Sequence, residues 1–571
     1  MRSIRGLAAV ALIVATIAPH GALGGAPPAS AQECSWPMYG RTPGRSFAQD
    51  PSCSAIRAGN VARLKPKWIV PVADSVTASP AVKDGIVYVG SWDGTFYALD
   101  ERDGAILWTF SIPDEHEVAF GRIVSSAAIE TVDVPGVGTF DVVLFGGGAT
   151  LYALRHSRTG PDLLAAVDVD PRTPALRAAQ AADPPEVEIE SSPVVGHFPD
   201  GDRIFVGMDV HNRAGVGRTG LLSFGMRNNE SGSTPLRFEL LYKFDPETGI
   251  VRHSLTDGSG EGFGCGGVWS SPMLAYRGGS GVIAVGTSNC EHPSESAAAG
   301  EIGAETIFGV EAKTGEELWR FRPRDPNRLD DDFGATPNLL PATPAHPSGI
   351  VGAAGKDGVY YARDLIDGDA AHTTRAAQSG HLVGDFAIGG MIGSPATGPV
   401  QMSWIPEDQR HLVIATAALG TPIGEPIDSG AFPIDATLAE DPARLLSLHA
   451  LDAATGEIVW RTPLSGPSYG APALAGNVVF VPVTFQSRVA AFDAATGVPL
   501  WSLPTIGAPS STPVVVADSL YIGTGTRETD AEFKAFGNEA QDFFGSIAGA
   551  HPLSPASTIS AFTIAPLNAS P

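Results

Sequence analysis

Positive charge is scarce in this chain: 37 Lys and Arg face 62 Asp and Glu over 571 residues, a formal charge of −25. So acidic a balance excludes nucleic acid as a partner, because phosphate binding needs a basic surface. Long apolar runs are missing beyond the N-terminus, and the run there, Leu7 to Ala18, is too short to span a bilayer. Arg2 and Arg5 precede it and Ala29-Ser30-Ala31 follows, which gives residues 1–31 the form of a secretory signal. Gln32 and Glu33 stand where a lipidated Cys34 would need small residues, so no lipid anchor is expected. Only four cysteines occur, Cys34, Cys53, Cys265 and Cys290. They allow three pairings, of which the two local ones, Cys34–Cys53 and Cys265–Cys290, are expected in an oxidising compartment. No CxxCH is present, so no covalently attached c-type haem is expected. These absences leave an exported protein, secreted or periplasmic, with no membrane span.

What is present is repetition. Hydrophobic residues make up 43% of the chain, enough for a large core, and 67 Gly with 47 Pro suit many short turns. Ala-x-Asp, a Gly turn and an apolar run closing on Trp recur at Ala98 to Trp108, Ala450 to Trp460 and Ala491 to Trp501, with a weaker copy from Glu311 to Trp319. This reads as a hairpin whose Trp packs on the neighbouring unit. A second phrase, a small residue before Pro and then an apolar strand, stands at Ser79, Ser192, Ser271, Thr336, Ser394, Ala471 and Thr512, with a Pro-less copy at Ser126. Each copy is followed by another apolar strand. Eight four-stranded units predict an all-β, eight-bladed β-propeller over residues 64–571, after a segment at 32–63. The last unit stops at a strand around Phe562, while the orphan strand around Trp68 precedes the first unit. The N-terminal strand is therefore expected to complete the last blade.

That strand order puts residues just before the Pro phrase and just after the second strand on one rim. Glu190 and Trp269 precede the phrase in the third and fourth units, and Asp330, Asp331 and Asp332 precede it in the fifth. Asp209, His211 and Asn212 follow the second strand of the third unit, Asn289 that of the fourth, and Lys356 that of the fifth. Aromatic plate, carboxylates, amides and ammonium converge as a flat, anionic, metal-bound cofactor would require.

These residues sit in phrases that resemble the pyrroloquinoline-quinone (PQQ)-dependent alcohol dehydrogenases, and most of all their polyvinyl-alcohol-dehydrogenase-like branch. The phrases are WPMYGRTPGRS (36–46), GCGGVWSSP (264–272), GTSNC (286–290), LDDDFGATPNL (329–339) and GAAGKDGVYYARD (352–364). The resemblance implies that Trp269 stacks on the quinone, with Gly267 and Glu190 beside it, and that Lys356 bonds the quinone oxygens. It makes Asp330 the general base and Asn289 a metal ligand. The family's glutamate ligand falls nearest Asn212, with Asp209 and Glu190 as alternatives. Asp332 matches the extra carboxylate of lanthanide-using relatives, so the metal is Ca²⁺ or a lanthanide. The cysteine pair Cys265–Cys290 would pin the plate to its metal ligand. The chain departs from the family at Gly146-Gly147-Gly148, where many members carry adjacent cysteines, and at Leu329, where they carry Trp. An alcohol is the implied substrate, and a separate carrier such as a cytochrome c the implied electron acceptor. The rival reading is a non-catalytic propeller that serves as a protein-assembly scaffold.

Overall fold

The computed structural model describes residues 34–113, 118, 121–182, 186–210, 215–230, 232–256, 262–290, 303–324, 331–375, 381–383, 386–388, 390–417, 420–422, 447–466, 468–525 and 556–565. The expected export signal at 1–31 and the candidates His211, Asn212, Leu329 and Asp330 lie outside these residues. No helix among the described residues is long and apolar enough to cross a membrane.

Eight antiparallel sheets form the blades of the expected propeller. Blades 1 to 7 occupy residues 81–111, 128–168, 194–252, 273–321, 338–375, 396–463 and 473–504. Blade 8 combines 514–564 with the N-terminal strand Leu64–Val72, which pairs antiparallel with Ser557–Ile564 and places Trp68 opposite Ala561. Second strands such as Ile86–Gly90 and Val478–Val483 are buried along their whole length, because blades cover both faces. That is why they read as unbroken apolar runs.

The recurring Asp and Trp join one blade to the next. Asp452 Oδ1 accepts the N–H groups of Ala454 and Thr455 and so shapes the turn. The turn Gly leaves space for the preceding blade's indole: a Cβ on Gly104, at φ +75°, would lie 2.7 Å from the Trp68 ring. Three indoles also donate to the backbone carbonyl just after the acid, Trp68 to Glu101 at 3.0 Å, Trp319 to Leu365 at 3.1 Å and Trp460 to Ala494 at 2.9 Å. Where the sequence lacks Trp, Tyr242 donates to Ala312 at 3.0 Å and His372 meets Ala453 at 3.1 Å.

The Ser-Pro phrase forms a second set of joints. The N–H of Ser79 donates to Ser126 Oγ, Ser126 to Ser192, Ser192 to Ser271, Ser271 to Thr336, Thr336 to Ser394 and Thr512 to Ser79, at 2.8–3.0 Å. Blades 1 to 6 thus each accept a neighbour's N–H. The series lapses at Ala471, which has no hydroxyl to offer the N–H of Ser394. Ala471→Ser is expected to stabilise the ring by about 1 kcal/mol, the usual net value of a buried hydrogen bond. A chemical-denaturation midpoint that does not rise would show that Ser394 needs no such partner.

Residues 36–55 run through the middle of the ring as a clasp. Trp36 bridges Val82 of blade 1, and Ile129 of blade 2 donates to Pro37. Leu274, Leu339, Thr397 and Leu474, of blades 4 to 7, donate in turn to the carbonyls of Pro43, Gly44, Ser46 and Phe47. Gln49 reaches Val515 of blade 8 at 2.8 Å. Arg45 supplies blade 3: its fully buried guanidinium donates to the carbonyls of Ser192 (2.9 Å), Pro272 (2.8 Å) and Tyr39 (2.5 Å). The disulfide Cys34–Cys53 closes the segment on itself.

Candidate active site

The segment leading into each blade crosses the end of the previous blade's second strand, and glycine there makes room. A Cβ on Gly207 would lie 2.0 Å from the Val268 carbonyl, and one on Gly286 would lie 2.5 Å from Phe333 Cβ. Serines hold these lead-in segments down: Ser191 Oγ accepts the Gly207 N–H at 2.9 Å, and Ser270 Oγ accepts the Gly286 N–H at 3.0 Å. Glu190, Trp269, Asp331 and Asp332 therefore come to one rim through backbone geometry shared by the blades.

In blade 3 the second strand, Gly201–Val210, extends past the sheet and pairs with Val187–Glu188, which sets Asp209 opposite Glu188. Asp209 lies against the next blade's lead-in segment, where a Cβ on Gly267 would stand 1.8 Å from its Oδ1. A side chain at 267 would push that carboxylate from its place. Asn289 is partly exposed, its carbonyl receives the Gly266 N–H at 3.4 Å, and the disulfide Cys265–Cys290 ties the two stretches together. Both expected cysteine pairings are formed.

Trp269, half-buried, rests over Gly334 of the blade 5 lead-in, where any Cβ would stand 2.0 Å from its ring. Lys356 Nζ lies 5.0 Å from the Trp269 ring centroid and 2.9 Å from Asp332 Oδ1. The Lys356 and Asp332 side chains are only 9% and 3% exposed, so this is a desolvated ion pair beside an aromatic face. The Lys356 N–H also donates to the Asp332 carbonyl at 3.0 Å. The structure brings Trp269, Asp332 and Lys356 together, and Asp209 with Gly267. Glu190 is on the same rim. Among the described residues, no three His, Cys, Asp or Glu side chains cluster as a metal site.

Sequence reasoning missed Arg324, Glu305, Asp357 and Tyr361, which cluster at the chain neighbours of the ion pair. Burial pulls the Arg324 pKa down, but Asp357, Asp331 and Glu305 raise it by more. No repeated phrase contains Arg324, so no pattern marked it. At the place of the family's adjacent cysteines, glycine has a packing reason: a Cβ on Gly146 would meet Ile189 at 2.4 Å, and one on Gly147 would meet Ile112 at 2.9 Å.

Solved structures with this architecture include the quinohemoprotein alcohol dehydrogenase of Comamonas testosteroni, with TM-score 0.63, 16% identity, and coverage of 94% of this chain and 82% of that one. The quinohemoprotein alcohol dehydrogenase ADHIIG of Pseudomonas putida HK5 gives TM-score 0.61 and 18% identity over 94% and 82% of the two chains. The chain shares the propeller fold of these two proteins. A europium-containing methanol dehydrogenase shares that fold at TM-score 0.62 and 16% identity, over 93% of this chain and 98% of the other. Residues 54–210 and 443–537 match the PQQ_2 family model, described as outer membrane protein assembly factor BamB. No curated protein sequence matches. The rim of this propeller presents an indole plate with a glycine beneath it, an ammonium near the ring, and oxygen donors on adjoining segments.

Proposed function

We propose that this protein is an exported PQQ-dependent dehydrogenase that oxidises primary or secondary alcohols, polyvinyl alcohol among them, to carbonyl compounds. The observation that carries the reading is Lys356 poised at once on the Trp269 ring and on Asp332. Bound there, the quinone supplies the hydride acceptor, and a Ca²⁺ or lanthanide ion polarises the accepting carbonyl.

The chain's own residues do the rest. Trp269 forms the plate on which the ring system lies, with Gly267 and Glu190 at its border. Lys356 donates to the quinone oxygens and offsets the negative charge that grows on them. Asp330 removes the hydroxyl proton of the alcohol as hydride leaves carbon. Asn289, Asp330 and Asp332 supply metal oxygens, with the third-blade ligand drawn from Asp209 or Asn212. Electrons leave to a separate soluble carrier such as a cytochrome c, and the −25 charge favours a basic one at low salt.

The assembly-factor family model favours a second reading, a non-catalytic protein-binding scaffold. One experiment separates the two. Protein titrated with PQQ and Ca²⁺ or a lanthanide should show cofactor absorbance and dye-linked alcohol oxidation. Asp330→Ala should lower turnover by at least ~10²-fold, as loss of a general base does, while quinone binding persists. Absence of quinone binding to the parent protein would leave the scaffold reading standing.

A further inference from the structure

We infer that Arg324 is the positioning residue of this site, fixing where the Asp332–Lys356 pair stands against Trp269 by holding the neighbours of both. Its guanidinium Nη1 lies 2.6 Å from Asp357 Oδ2, and its Nε lies 3.4 Å from Glu305 Oε2 and 3.6 Å from Asp331 Oδ2. Its Nη2 donates to the Asp331 carbonyl. Asp331 precedes Asp332, and Asp357 follows Lys356. The Asp331 and Asp357 carboxylates thus turn to Arg324, while Asp332 and Lys356 turn to each other.

Two further features hold the clamp. Tyr361 Oη donates to the same Asp357 oxygen at 2.5 Å, and the Val359 N–H donates to the other at 3.1 Å. Glu305 is fully buried and takes a left-handed backbone, φ +50°, which is unfavourable for a residue with a side chain. Strain of that kind persists where the surroundings impose it, and here it delivers a carboxylate to Arg324. Arg324 stands just beyond the outer strand Glu317–Phe321 of blade 4, while Asp357 belongs to blade 5, so the guanidinium sets the spacing of the two blades that carry Trp269 and Lys356. Lysine cannot reproduce this, because the planar fork addresses several acceptors at fixed angles and an ammonium does not.

The effect on turnover rests on the proposed dehydrogenase reading; the placement of Lys356 does not, and the test has an arm for each. Without cofactor, the emission of Trp269, isolated by subtracting the spectrum of a Trp269→Phe partner variant, reports whether the ammonium still sits at the indole. Arg324→Ala should shift or brighten that emission, and Arg324→Lys should do so less. With PQQ and metal, Arg324→Ala should lower kcat by ~10²-fold with KM for the alcohol nearly unchanged, the mark of misplacement rather than lost binding. Arg324→Lys should recover part of kcat. Should Arg324→Ala fail to fold, Arg324→Lys and Tyr361→Phe carry the same readouts. Parent-like Trp269 emission in the folded variants would overturn the inference. A changed emission in a protein whose parent shows no turnover would support the clamp and remove the dehydrogenase reading.

Discussion

Lys356→Met is expected to lower stability by about 3–5 kcal/mol, the usual cost of stripping one partner from a buried ion pair. The carboxylate left behind, Asp332, is only 3% exposed and has Lys356 Nζ at 2.9 Å. The Trp269 face would also lose a cation worth about 0.5–2 kcal/mol. Adding Asp332→Asn should restore most of the loss, because an uncharged amide in place of a lone buried carboxylate removes the largest penalty. Urea denaturation of the two single variants and the double variant measures this without reference to any cofactor. If the single variant is as stable as the parent, Asp332 is solvated or neutral in the folded protein. PQQ titration of the same proteins then tests the proposed function: Lys356→Met should bind the quinone at least ~10²-fold more weakly, as loss of a desolvated charge-assisted hydrogen bond predicts.

Arg45→Met should cost about 4 kcal/mol or more, since buried carbonyls left without a donor carry about 1–3 kcal/mol each. The carbonyls concerned belong to Tyr39, Ser192, Pro193 and Pro272, so the clasp and blades 3 and 4 are all affected. Burial lowers the Arg45 pKa to about 9, which leaves the side chain charged near neutral pH. Methionine keeps much of the volume and removes every donor. Equilibrium denaturation gives the magnitude, and native-state hydrogen exchange should show lost protection at Leu274, Leu339 and Thr397, whose N–H groups bond the residues around Arg45. Protection unchanged at those amides would mean that the clasp is held by its backbone alone.

The fold could be read from the chain because its joints are repeated. Ala-x-Asp, Gly and Trp announced the hairpins of blades 1, 6 and 7 and, more weakly, blade 4, and the small-residue phrase announced the inner strands. What the phrase does was not legible: its hydroxyl bonds a residue one blade away, some 50 to 80 positions along the chain. Nor was the course of residues 36–55, whose partners share no local pattern. At the site, rim logic and family phrases selected Trp269, Asp332 and Lys356, which stand together. Arg324 and Glu305 escaped because their roles arise only when two blades meet. Lys356-Asp357-Gly358 looked like a simple turn, and only the fold shows its two charged side chains serving different partners.

The clasp bears on the order in which the molecule can be assembled. Residues 36–55 emerge before any blade, yet their partners extend to Val515, 466 positions after Gln49. The strand Leu64–Val72 likewise waits for Ser557–Ile564. Blades can form one at a time, as repeats do, but the leading stretch has no lasting place until the trailing one has been made. A chain halted before blade 8 should therefore expose both its first strand and its unfilled axle, leaving an intermediate prone to capture by chaperones or by other chains.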